Sequence, residues 1–323
     1  MRQLKHLSPS ALGLWESDKE AFFFKYLADD REFNPQPEPA SVGSAFDAQV
    51  KAALYEELGL GDDPAFEYEA LITSQVEAQN REFARQAGAH LFDCYVNAGF
   101  YFTLRDMLEE AKDVVMETRK EGVIGGVPLI GYPDLTFTFK GHKVTFDWKV
   151  NGYCSRSPTS PAKLYYFVKD GQQQEKPSRN DGRAHKDFIA DVKFPDFVVG
   201  EHFLEEAKKD WADQLSIYAW LAGMPVGGEF ICNIHQLVAK PQFENRPLIR
   251  CAAHSARVSE MYQDHLLERL QRCWQSIQDN HIFQDVSIEE SQERCEILNA
   301  VMTSRTDPTL RDLCDISPRG WKS

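Results

Sequence analysis

The stretch Val127 to Val150, VPLIGYPDLTFTFKGHKVTFDWKV, alternates apolar and polar residues with a period of two on both sides of a Gly-His pair. A β-hairpin turns that alternation into two coherent faces. Leu135, Phe137 and Phe139 point one way, with Val144, Phe146, Trp148 and Val150 forming the matching apolar face of the second strand. Asp134, Thr136, Thr138, Thr145, Asp147 and Lys149 take the other side. A two-residue turn at Gly141-His142, glycine first as a type II′ turn prefers, sets the expected register. Phe137 then stands opposite Phe146, Leu135 opposite Trp148, and Asp134 opposite Lys149. Opposed Cβ atoms lie about 5 Å apart, so two carboxylates and a lysine are expected on one polar face.

The chain before this hairpin reads as helical. Ser8 is the expected N-cap and Pro9 the first residue of a helix running to about Leu27, and the Pro-rich FNPQPEPASVG breaks it. SAFDAQVKAALYEELGL follows as a second helix that Gly59 can close, with further helices over about 69–87 and 91–112. After the hairpin, 151–195 is irregular and carries eight Lys and Arg against five acids. EEAKKDWADQLSIYAWLAGM reads as an amphipathic helix with Trp211, Gln214, Leu215 and Tyr218 on one side. GEFICNIHQLV and PLIRCAAHS read as strands, and helices are expected over about 259–280 and 288–302. The expected organisation is one α/β domain: a helical part over 1–112, a core over 113–256 bearing the insertion, and C-terminal helices over 257–323.

Composition narrows the function classes. A net charge of −14 argues against a protein that coats nucleic acid non-specifically, because that affinity comes from many cationic contacts to phosphate. The seven cysteines lack the close spacing of zinc or iron–sulfur sites and read as reduced thiols. The N-terminus has no apolar signal region, and no apolar run approaches the roughly 20 residues of a membrane span. A cytoplasmic location without membrane partners is the expectation.

Two carboxylates and a lysine on one face suit metal-assisted phosphodiester hydrolysis: hard oxygen ligands hold Mg²⁺ or Mn²⁺, and a lysine supports developing charge. GYPD (Gly131 to Asp134), DWK (Asp147 to Lys149) after a hairpin, and QLSIY (Gln214 to Tyr218) on a following helix together resemble the PD-(D/E)XK nuclease superfamily. Within it they resemble the RecB-like exonuclease branch with its Q-x-x-x-Y motif. SPSALGLWESDKEAFFFKYL and VGSAFDAQV look like that branch's opening helices, so the resemblance spans about Ser8 to Tyr218.

The resemblance implies a restriction-endonuclease-like core, with a mixed sheet flanked by helices and a helical N-terminal part. It makes Asp134 and Asp147 metal ligands, Lys149 the catalytic lysine, and Gln214 and Tyr218 residues that line the site and orient the lysine and the nucleic-acid end. Asp47 stands where the branch usually carries a histidine ligand; an aspartate there offers another oxygen ligand and favours a harder ion. No iron–sulfur cluster is expected, because the cysteines of relatives that carry one are not matched. The implied activity is a Mg²⁺- or Mn²⁺-dependent deoxyribonuclease, an exonuclease on linear DNA ends of the free-standing kind found in phages and some bacteria. A single-strand-binding or recombination protein is the implied partner class. Lys163, Lys169, Arg183 and Lys186 of the basic insertion are the expected strand-holding residues. Glu117 reads as a solvated surface glutamate. The rival reading is the same fold with a lapsed site, acting as a DNA-end or protein adaptor.

Overall fold

The Ser-Pro pair does open the first helix: the Ser8 hydroxyl accepts from the Ala11 N–H and Pro9 begins α1, Pro9–Ser17. The helix does not run unbroken to Leu27. Asp18 adopts an extended conformation and caps a new helix, α2 (Lys19–Phe22), which continues as a π turn over Phe23–Leu27. A short polar side chain that bonds a nearby backbone amide competes with helix propagation, and Asp18 does so through Ala21 N–H.

The computed structural model describes residues 1–30, 34–160, 167–169, 172–174, 199, 203–241 and 246–306. These fall into two compact units, one of Met1–Asn34, Glu121–Gly131 and Asp264–Ser323, the other of Pro35–Lys120 and Tyr132–Gln263. In the first unit Leu7 bridges Leu129, and the nearly buried Arg269 guanidinium makes a two-pronged pair with Glu16. The second unit holds every predicted site residue that the structure describes.

Within it, α3 (Glu38–Glu57) is closed by Gly59, whose φ of 59° is left-handed. Three helices follow where two were expected: α4 (Tyr68–Gln75), α5 (Arg81–Asn97) and α6 (Phe100–Glu110). Extended Val76 separates the first pair and Gly99, at φ 83°, the second. α3 and α5 cross closely because Gly88 lies against Ala45; a Cβ on Gly88 would fall 2.9 Å from both the Ala45 carbonyl carbon and its Cβ. Gly88→Ala is therefore expected to destabilise the protein by about 1–3 kcal/mol through overpacking, against the usual helical preference for alanine. Urea unfolding measures the difference.

The sheet of the second unit has the order β1 (Lys112–Met116), β4 (Leu135–Phe139), β5 (His142–Asn151), β8 (Ile231–Lys240), β9 (Leu248–Ala256). The β2–β3 pair (Lys120–Ile124, Val127–Gly131) and the β6–β7 pair (Phe167–Lys169, Gln172–Gln174) form separate two-stranded sheets. β5 and β8 run parallel and every other pair in the large sheet is antiparallel. A parallel pair needs a long crossover, and α7 (Leu204–Ala207) and α8 (Lys209–Leu221) lie within it. Phe46, Tyr95, Leu104, Leu135, Phe137, Phe146 and Trp148 share one core. Leu215, Tyr218, Cys232 and Ile234 share another, so helices cover both faces of the mixed sheet. α9 (Glu260–Gln278) and α10 (Ile288–Thr306) end the described chain.

The hairpin's faces are as expected, but its register is not. Phe139 pairs with His142, Phe137 with Val144 and Leu135 with Phe146, so the turn is Lys140-Gly141. Both turn residues have positive φ, 47° and 84°, as a type I′ turn requires, and that turn matches the twist of the strands. The shift of two residues keeps each side chain on its face. Continued past its last pair, it sets Asp134 level with Asp147, not Lys149.

Candidate active site

β5 is anchored from behind before it presents any polar group. Trp148 Nε1 donates to the Tyr95 hydroxyl at 3.2 Å, and that hydroxyl lies 2.5 Å from His235 Nδ1. Burial, with the nearby His254, lowers the His235 pKa to about 3. His235 is therefore neutral, and Trp148, Tyr95 and His235 form one buried hydrogen-bonded row behind the strand.

On the opposite face, Lys149 Nζ is 2.6 Å from Asp147 Oδ2 and donates to Gln214 Oε1 at 2.8 Å. The Gln214 amide nitrogen is 3.3 Å from Asp147 Oδ1 and 3.1 Å from the Tyr218 hydroxyl. Gln214 and Tyr218 reach the same point because four residues make about one turn of α8. Asp134, just before β4, accepts from the Trp148 backbone N–H through Oδ2 at 3.2 Å.

The third element is one that sequence reasoning missed. Lys51, one turn after Asp47 on α3, is only 1% exposed, and its ammonium lies 2.6 Å from Asp47 Oδ2, 3.0 Å from Asp134 Oδ1 and 3.1 Å from Glu117 Oε2. Glu117 follows β1 at a φ of 36°. It accepts from Gln75 Nε2 through both carboxylate oxygens, and its N–H donates to the Asp134 carbonyl at 3.0 Å. Glu117 is thus part of the site and not a solvated surface residue. The sequence signal for Lys51 is the spacing Gly43, Asp47, Lys51 at intervals of four, which places all three on one helix face.

Asp47, Asp134, Asp147, Lys149, Gln214 and Tyr218 are therefore brought together, with Lys51, Glu117 and Gln75 added. Of the expected strand-holding residues, Lys169 stands in β6 opposite Gln172. Lys163, Arg183 and Lys186 lie outside the described residues.

Burial pushes the Asp47 carboxyl up to about 8, the Asp134 charge adding to the rise and Lys51 opposing it. Burial pushes Asp147 up to about 6; Lys149 opposes this and Asp134 reinforces it. For both lysines burial acts downward but the carboxylates outweigh it, Asp134 first for Lys51 and Asp147 first for Lys149, and both stay above the usual lysine range. Burial also raises the Tyr218 hydroxyl.

The sign of the pH dependence follows. A carboxyl whose folded pKa exceeds its unfolded value of about 3.9 adds stability that is complete below that value and is lost as pH rises through the folded one. Without divalent ions, the melting temperature is expected to lose this contribution between about pH 4 and 8, the window set by Asp147 and Asp47. Asp47→Asn should flatten the upper part, from about pH 6 to 8. Thermal melts in a chelating buffer check this.

The carboxylate oxygens are hard donors of the kind that divalent cations take. Asp47 Oδ1 and Asp147 Oδ2 are buried without a hydrogen bond, although the latter is in ionic contact with Lys149. Unsatisfied buried carboxylate oxygens of this kind are costly, and a cation relieves them. Among the described residues, however, no three of His, Cys, Asp and Glu stand together as a ready-made cage: Lys51 sits between Asp47, Glu117 and Asp134.

Among the described residues no helix is long and apolar enough to cross a membrane. No family model matches the chain, and no curated protein does. Solved structures similar to it include one named "Putative exonuclease" from Eubacterium rectale, 12% identical over 89% of each chain with a TM-score of 0.41. Another is the protein SSO0001, 12% identical over 85% of this chain and 95% of that one, with a TM-score of 0.22. Likenesses this loose carry no argument about activity; the chain itself has a mixed α/β fold, a five-stranded sheet with helices on both faces.

Proposed function

We propose that this protein is a divalent-metal-dependent nuclease that hydrolyses phosphodiester bonds in DNA, acting as an exonuclease at linear ends. The supporting observation is the Asp147–Lys149–Gln214 triangle with Asp134 beside it. An ammonium held by a carboxylate and an amide has a fixed position, and a fixed cation stabilises developing negative charge without reorganising.

Asp134, Asp147 and Asp47 are the residues that would hold Mg²⁺ or Mn²⁺. Such an ion, when bound, supplies charge stabilisation at phosphate and a more acidic water. Lys149 keeps its proton at Nζ, since Asp147 holds its pKa up, and so contributes a full positive charge to the phosphate oxygens. Gln214 fixes its direction, and Tyr218 fixes Gln214 through the amide nitrogen. Lys163, Lys169, Arg183 and Lys186 belong to a segment richer in Lys and Arg than in acids, a composition suited to holding the strand.

The test incubates purified protein with end-labelled single- and double-stranded linear DNA and a closed circle, with Mg²⁺, Mn²⁺ or EDTA. Metal-dependent shortening of the linear forms supports the reading. A second reading, a non-hydrolytic DNA-end adaptor, is favoured by Lys51, whose ammonium already stands among three carboxylates that would otherwise face a metal ion. Retained binding with intact DNA under every condition selects it.

A further inference from the structure

We infer that Lys51 is a resident cation of the acidic cluster, so that the site takes a single divalent ion and not two. The inference rests on the metal-dependent reading above. Lys51 reaches carboxylates from three separate pieces of chain: α3 through Asp47, the residue after β1 through Glu117, and the residue before β4 through Asp134. A helix-surface i, i+4 pair leaves its ammonium in water, whereas this one is buried. Gln75 donates to both oxygens of Glu117 and so holds that carboxylate toward the ammonium.

Charge balance gives the number of ions. A carboxyl must lose its proton to bind a cation, and in that state the carboxylates of Asp47, Glu117, Asp134 and Asp147 face the ammonium groups of Lys51 and Lys149. The surplus is two negative charges, which one divalent ion cancels. Asp47 Oδ1 is buried without a hydrogen bond and Asp147 Oδ2 has only its ionic contact with Lys149, so part of the donor set remains for that ion. A second ion would have to take the place of the Lys51 ammonium, which is buried and held by three carboxylates. Lys51 is thus a positioning residue: it gathers Asp47, Glu117 and Asp134 and limits how much cation they accept.

The experiment titrates Mn²⁺ into the full chain, wild type and Lys51→Gln, by calorimetry and electron paramagnetic resonance, with melting curves at each Mn²⁺ level. One ion is expected in the wild type and two in the variant, whose melting temperature should rise more steeply with Mn²⁺. If the variant is unfolded without the ion, Mn²⁺ should restore its fold. A variant that stays unfolded in excess Mn²⁺ overturns the inference, since an ion then cannot replace the ammonium. Two ions in the wild type, or one in both proteins, overturn the inference and leave the metal-dependent reading standing. No ion in the wild type and one in the variant keeps Lys51 in the ion's place but overturns the metal-dependent reading and the single-ion count. No ion in either overturns both.

Discussion

Lys149→Met and Asp147→Asn are each expected to lower metal-dependent cleavage of linear DNA by about 10²–10³-fold, the range for removing one preorganised stabilising group. The two variants should differ in other ways. Lys149→Met removes the charge that the proposed function offers to phosphate but leaves Gln214 able to reach Asp147 Oδ1, so divalent-ion affinity should persist or rise. Asp147→Asn keeps the shape and the Gln214 contact but removes a buried carboxylate that is only 3% exposed, so ion affinity should fall. Initial rates with end-labelled DNA, set beside Mn²⁺ titrations, separate the two. Equal rates for wild type and both variants would refute the assignment of this triangle to catalysis.

Phe46→Ala should produce the largest loss of stability, about 3–5 kcal/mol. Phe46 is fully buried in the core between the helices and the sheet and meets Tyr95 edge-on at 5.5 Å. The penalty joins lost burial to the cavity left between α3 and α5, where Gly88 already allows close approach. Because Phe46 precedes Asp47 on α3, relaxation into the cavity also displaces the Asp47–Lys51 face. Activity should therefore fall at temperatures where the variant is still folded. Denaturant unfolding followed by rate measurements below the transition shows both effects.

The two faces of the hairpin were legible because period-two alternation has only one geometric solution, and a wrong register by two residues preserves it. The register itself was not legible: a lysine at positive φ is uncommon, so Gly141-His142 was the natural turn to choose over Lys140-Gly141. The helix breaks at Asp18, Val76 and Gly99 were hidden for a similar reason, since each lies inside an acceptable helical pattern and only local capping or a left-handed glycine ends it. Asp134, Asp147, Lys149, Gln214 and Tyr218 were readable from motif order. Lys51 and Glu117 were not, because a buried lysine is tolerated only through its partners, and two of the three here lie 66 and 83 residues away.

The bond from the Trp148 amide to Asp134 has a practical side. The β4–β5 ladder ends at Leu135 and Phe146, and beyond it a carboxylate, not a carbonyl, receives the next strand amide. That amide is therefore wired to the charge of Asp134. Its proton chemical shift and exchange rate report, at a single backbone position, whether the carboxylate still holds this amide or is engaged elsewhere, which gives nuclear magnetic resonance a gauge of site occupancy that needs neither substrate nor label on the DNA.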